Sequence, residues 1–146
     1  MSDKITFTLH ELVWELDHAA DQHLREHFDI TGSQFIFLAT LLDVEPTDMT
    51  GLAHCLGTSK AAVSKRVPAF VEAGWISTST PPGPGRRVLL ELTPTARDLV
   101  ARAGRALDDN LARLVAASRA QGIDLDALNA DLNTLVALMR QNGASS

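Results

Sequence analysis

The stretch from Asp48 to Thr93 constrains this chain most, because its helix starts, stops and turns allow little choice of arrangement. Asp48 is a favoured N-cap residue, and Met49, Leu52, Ala53 and Leu56 behind it recur at helical spacing until Gly57 stops them. Thr58 or Ser59 caps the next segment, about 60–72, whose apolar stripe is Val63, Val67 and Phe70 and whose end is Gly74. Two short helices joined by about three residues containing Gly form a helix-turn-helix. Trp75 to Ser79 and Val88 to Thr93 then have strand character, Val88, Leu90 and Leu92 alternating with Leu89, Glu91 and Thr93. Between them, Thr80-Pro81-Pro82-Gly83-Pro84-Gly85-Arg86-Arg87 admits no regular structure, which predicts a hairpin with a protruding basic tip, a wing.

Long amphipathic helices flank this unit. Leu9, Leu12, Val13, Leu16, Ala20 and Leu24 mark one over 8–28. Thr31 with Gln34 three residues on forms a capping box for a helix of about 32–43, carrying Phe35, Ile36, Leu38, Leu41 and Leu42 and closed by Glu45-Pro46. Thr93 caps, and Pro94 opens, a helix reaching about Ala120; Gly122 breaks it and Asp124 caps a last one through Met139. The final residues 142–146 are expected to fray. The fold class that follows is mainly α with a small β-hairpin: one domain over 1–146, with a winged helix-turn-helix over 31–93 (helix to be read as the recognition element about 59–73, wing about 75–93) and flanking helices at 8–28 and 94–142.

At 146 residues and 45% apolar content, the chain can bury a substantial core. It has no run of 18 apolar residues, no leader-like N-terminus and one cysteine, Cys55, a combination expected of a cytoplasmic protein that does not engage the membrane. The net charge of −5 argues at first against a polyanionic partner. Its distribution reverses the argument. The acids crowd the first 30 residues, whereas 48–93 sets Lys60, Lys65, Arg66, Arg86 and Arg87 against Asp48, Glu72 and Glu91. Salt screens exposed charges beyond about 8 Å, so a basic middle can meet phosphates while an acidic end stays remote.

From Ile30 to about Ala103 the chain resembles the MarR family of regulators. Ile30-Thr31-Gly32-Ser33-Gln34-Phe35 is similar to the opening of the family's second helix. Leu52-Ala53-His54-Cys55-Leu56-Gly57 is similar to its "LAxxLG" segment. Ser59 to Phe70 followed by Glu72-Ala73-Gly74-Trp75-Ile76 resembles the recognition helix and its exit, and Leu92-Thr93-Pro94 the end of the wing. The resemblance implies a homodimer that interlocks the flanking helices, binding of a pseudo-palindromic double-stranded DNA operator, and repression relieved by a small aromatic or lipophilic effector held between the dimerisation helices and the DNA-binding lobe. Two departures stand out. The family wing carries Asp-x-Arg; here Arg86 falls on the arginine and Pro84 replaces the aspartate. Pro68 lies inside the recognition helix, where it removes a hydrogen bond and should kink the chain.

A helix entering the major groove needs small residues for close approach and donors for base edges and phosphates. With Val63 facing the core, Ala61 and Lys65 lie opposite, flanked by Lys60 and Ser64; Ser59 sits at the helix N-terminus, whose free N–H groups also suit phosphate. Arg86 and Arg87 on the hairpin tip suit the adjacent minor groove. The DNA-binding candidates are therefore Ser59, Lys60, Ala61, Ser64, Lys65, Arg66, Arg86 and Arg87. Arg66, at the edge of the core stripe, answers equally to a phosphate contact or to a structural ion pair with Glu72 or an upstream acid.

Trp14, His18, Phe35 and Phe37 are the candidates for an effector pocket, with plain core or interface packing the preferred alternative for each. His23 and His27, spaced i, i+4, allow two metal ligands, but no third follows at metal spacing, and a surface pair is preferred. Cys55, beside Leu52 and Leu56, reads as an inert core thiol. No phosphate loop, metalloprotease motif or nucleophile elbow is present, so neither an enzyme nor a cofactor is expected. The rival reading is a winged helix that contacts only protein, a partner or antagonist of another regulator.

Overall fold

The structure, a computed structural model, describes residues 2–143. Its order is α1 (Ser2–Phe28), α2 (Gly32–Val44), α3 (Met49–Leu56), α4 (Lys60–Glu72), β1 (Ile76–Ser79), β2 (Leu89–Leu92), α5 (Pro94–Ala120) and α6 (Leu125–Gly143). The mainly helical architecture with one hairpin is the one read from the sequence. α1 begins six residues before the expected start at residue 8. α6 extends through Asn142 and Gly143, where fraying was expected; the rest of that expectation, 144–146, lies outside the described residues. The chain divides into two compact units, Met1–Arg105 and Ala106–Ser146.

The first unit is built by caps and turns that the sequence announces. Thr31 accepts from the Gln34 N–H at 3.0 Å while the Gln34 side chain accepts from the Thr31 N–H at 2.8 Å, a complete capping box on α2. Asp48 caps α3, and Ser59, not Thr58, caps α4. Gly57 closes α3 at φ 64°, ψ 32°, the left-handed region that glycine enters at least cost. Gly74 turns α4 into β1 in the same way at φ 75°. Helix α4 continues as one helix through Pro68, which cannot donate a backbone hydrogen bond at its place in the helix.

The core of this unit gathers Leu24 from α1, Phe37, Leu38 and Leu41 from α2, Leu52 from α3, Val63 and Phe70 from α4, Leu90 from β2 and Ala103 from α5, each at most 4% exposed. The hairpin is antiparallel, with Ile76 opposite Leu92 and Ser79 opposite Leu89. Its inner face buries Ile76, Leu90 and Leu92 while Glu91 stays exposed.

The connection from α2 to α3, which looks like a bare helix stop in the sequence, forms a third rail beside β2. Thr47 and Leu90 exchange backbone hydrogen bonds in both directions, and the Glu45 carboxylate accepts from the Leu92 N–H at 2.6 Å. The other oxygen of Glu45 pairs with Arg97 of α5. At 8% side-chain exposure, Glu45 is the most enclosed charge among the ion pairs of the described residues, and it joins the end of α2 to the last turn of the wing and the start of α5.

Asp21 braces α1 against α2. Its carboxylate accepts from the Gly32 N–H at 2.7 Å and from Arg25 at 2.5 Å, and these two bonds hold its pKa below the ordinary carboxylate value. A depressed carboxylate stabilises the fold above its unfolded pKa, and that contribution disappears as pH falls through the folded value. Urea midpoints measured from pH 7 down to 3 are therefore expected to fall less steeply below about pH 4 in Asp21→Asn than in the wild type. Equal acid limbs would show that the brace does not form.

In the second unit, Asp124 caps α6 by accepting from the Asp126 and Ala127 N–H groups at 3.0 and 3.2 Å. No residue of α6 is buried, and Leu128, Leu135, Val136, Leu138 and Met139 are all exposed. On the first unit, Phe7, Leu12, Val13, Trp14 and Leu16 of α1 are likewise exposed. None of the described helices is long and apolar enough to cross a membrane.

Candidate nucleic-acid interface

Helix α4 buries Val63, Val67 and Phe70 and leaves the opposite face to solvent. Ser59, Lys60, Ala61, Ser64 and Lys65 are all exposed there, in the arrangement expected from helical spacing. Ser59 already accepts from the Ala62 N–H at 3.1 Å, which leaves its hydroxyl proton free to donate outward. Among the described residues, neither Lys60 nor Lys65 has an ion-pair partner within 4 Å, so both charges face water.

Arg66 differs from the other candidates. It turns inward along the edge of the core, donating to the backbone carbonyl of Ser33 at 3.2 Å and to the Ser33 hydroxyl at 3.1 Å. Its guanidinium lies over the Phe37 ring at 4.8 Å and the Phe70 ring at 5.5 Å. It is thus a clamp between α4 and the first turn of α2. The expected alternative of an ion pair with Glu72 or an upstream acid is replaced by these neutral acceptors and ring faces.

The two wing arginines also separate. Arg86 is exposed and makes no ion pair among the described residues. Arg87 is held from below, donating to the Asp48 carboxylate from Nε at 2.9 Å and from the guanidinium terminus at 2.8 Å. Asp48 takes a further bond from the Gly51 N–H at 2.8 Å as the cap of α3. Its pKa is held below the ordinary value first by that backbone bond, then by Arg87, with a smaller pull from Lys60. Asp48, Lys60 and Arg87, from three different elements, therefore form one electrostatic cluster at the base of the wing. Sequence reading found Asp48 as a cap but not as an arginine partner, since 39 residues separate it from Arg87.

The four effector candidates are not brought together. Phe37 is fully buried against Phe70, ring centroids 4.6 Å apart, and is core. Phe35, two residues away, faces the opposite side of α2, toward Gly104 of α5. Trp14, 60% exposed, stacks in parallel on His18 of the same helix at 5.0 Å. His23 and His27 pack ring on ring at 4.4 Å, and no cluster of three or more metal-ligating side chains occurs among the described residues. Cys55 is exposed, contrary to the core thiol expected. The buried face of α3 is set by Leu52 and Ala53, and at 100° per residue Cys55 falls roughly 100° off its centre.

Comparisons with known proteins agree with this geometry. Residues 28–87 match the model of the MarR family. No curated protein sequence matches the chain significantly. Among solved structures, Staphylococcus aureus MarR in complex with salicylate and kanamycin superposes with a TM-score of 0.81 at 17% identity, covering 99% of this chain and 94% of that one. Streptococcus pneumoniae FabT in complex with DNA gives 0.79 at 14% identity and covers all of both chains. The Staphylococcus aureus MepR–DNA complex gives 0.72 at 21% identity, covering 92% of this chain and 96% of that one.

Proposed function

We propose that this chain, whose segment 28–87 matches the MarR family model, is a sequence-specific transcription regulator that binds double-stranded DNA as a homodimer. The observation that carries this reading is the pairing of two basic elements that lack ion-pair partners among the described residues: the Lys60–Lys65 face of α4 and Arg86 on the wing. A helix of this kind enters the major groove, and an arginine on a hairpin beside it reaches the flanking minor groove or backbone. DNA in complex with FabT and with MepR, folds of the same type, supports it.

The exposed apolar residues of α1, α5 and α6 support the dimer, since a lone soluble chain rarely leaves so many large apolar side chains in water. Two-fold symmetry presents two recognition helices to two half-sites. Repression released by a small aromatic or lipophilic effector is the mode we favour; the salicylate complex of the Staphylococcus aureus protein supports that ligand class. Trp14 and His18, exposed and stacked, remain the candidates to meet such a ligand, while Phe37 does not. We place the protein in the cytoplasm, where its DNA would be, and assign it no catalytic activity.

The test is a fluorescence-anisotropy titration of duplexes from the gene's own upstream region against scrambled and half-site duplexes, over a range of salt. Specific binding that weakens steeply with salt and needs both half-sites is the expected outcome. Absence of binding to any duplex at low salt would overturn the proposal in favour of a module that contacts only protein.

A further inference from the structure

The wing loop has little of its own to hold it. Residues 80–87 contain three prolines and two glycines, and the ladder with β1 ends at Ser79 opposite Leu89. No Asp or Glu lies between residues 80 and 90, so the loop cannot orient either of its arginines from within. Beyond the hairpin, one backbone bond, from the Arg87 N–H to the Gly85 carbonyl at 2.9 Å, tightens its descending arm. The side chain that ties this arm to the body of the domain is Arg87, through the two-donor contact with Asp48.

Asp48 is built for that contact. One carboxylate oxygen is fixed by the Gly51 N–H, which sets the side-chain torsion and aims the second oxygen at Arg87. Residue 51 must be small: a Cβ there would collide with the Thr47 hydroxyl and come within 3.3 Å of the Asp48 carboxylate. Below, Thr47 is locked to Leu90 and Glu45 to Leu92. The Asp48–Arg87 pair is thus the outermost of three successive ties between the α2–α3 connection and the wing, and the only one that reaches the loop.

We propose that Asp48 is the positioning residue of the wing: it holds Arg87 against the body of the domain and so leaves Arg86 as the cation that the wing offers to DNA. The inference rests on the DNA-binding reading for its consequence, though the tether itself does not. Charge alone makes the opposite prediction. Deleting an anion beside a DNA surface strengthens binding by removing repulsion, whereas deleting a positioning anion weakens it.

Asp48→Asn separates the two, because asparagine caps a helix as well as aspartate does but gives up the ion pair. Arg87→Ala breaks the same pair while keeping the native cap. In the free protein, steady-state heteronuclear NOEs of Gly83, Gly85 and Arg86 are expected to drop in both variants, and no further in the double variant. Operator affinity is expected to fall about 5-fold in each, again without additivity, a coupling of about 1 kcal/mol. Arg86→Ala in the Asp48→Asn background also tests the split: its loss should shrink, because the arginine is already misplaced. Unchanged wing NOEs in both variants would overturn the tether. Lowered NOEs with unchanged or tighter DNA binding by Asp48→Asn would overturn its positioning role. If the wild type binds no duplex, the DNA-binding reading fails, while the NOE comparison still decides the tether.

Discussion

Replacing Phe37 by alanine is expected to cost about 3–5 kcal/mol of stability and to lower the unfolding midpoint by roughly 10–15 °C. The ring is completely buried and packs at a tilt against Phe70, which in turn lies 5.9 Å from Trp75 at the start of the hairpin. The Arg66 guanidinium lies over both rings, 4.8 Å from Phe37 and 5.5 Å from Phe70. Arg66, Phe37, Phe70 and Trp75 therefore form one cluster joining α2, α4 and the strand that follows. Alanine opens a cavity under α4 and removes one of the two ring faces that Arg66 covers. Circular dichroism with heat and urea measures the loss. A cost below about 1 kcal/mol, the range of tolerated surface changes, would mean that Phe37 is not core. An altered effector response at full stability would instead restore it as a ligand-lining residue.

How much of this was legible beforehand depended on the range of the interactions concerned. Caps act over three residues, so Thr31–Gln34, Asp48 and Ser59 or Thr58, Thr93 and Asp124 could be read directly, and they set where the helices start. The exposed face of α4 followed from spacing alone once Val63 was placed inward. Arg66 sat one position from the core stripe, where spacing cannot choose between solvent and interior; Ser33, which claims it, is 33 residues away. The Glu45, Thr47 and Asp48 ties were invisible for a different reason. A rail of four residues has no period to detect, and each of its partners lies about 40 or more residues downstream. Cys55 was misjudged because the buried face of this short helix centres between Leu52 and Ala53, which leaves Cys55 beyond its edge and in solvent. Phe37 takes the core packing preferred for it over a pocket role; spacing alone did not decide between the two, since an aromatic in a buried cluster and one in a pocket have the same spacing.

The largest functional effect is expected when Lys60, Lys65 and Arg86 are all replaced by alanine. These side chains are exposed and without ion-pair partners among the described residues, and none is needed to hold a helix or the wing in place. With three such cations per protomer, a symmetric dimer neutralises about six phosphates, giving a slope of log K against log salt of about −5. The triple variant should lose most of that slope, keeping the part supplied by helix N-termini and hydroxyls, and its affinity near 0.15 M salt should fall by about 10³-fold or more. Its unfolding midpoint should stay close to that of the wild type, because exposed unpaired charges contribute little to stability. Arg66→Ala is the necessary contrast. It removes the same formal charge from the same helix, yet its guanidinium is engaged by Ser33 and two rings. It should therefore destabilise the fold while leaving the slope nearly unchanged. If Arg66→Ala flattens the slope as a fourth phosphate contact would, the inward clamp opens on DNA and α4 presents a wider basic face than the free protein shows. If the triple variant keeps the wild-type slope, the phosphates are met elsewhere and the Lys60–Lys65–Arg86 surface is not the interface.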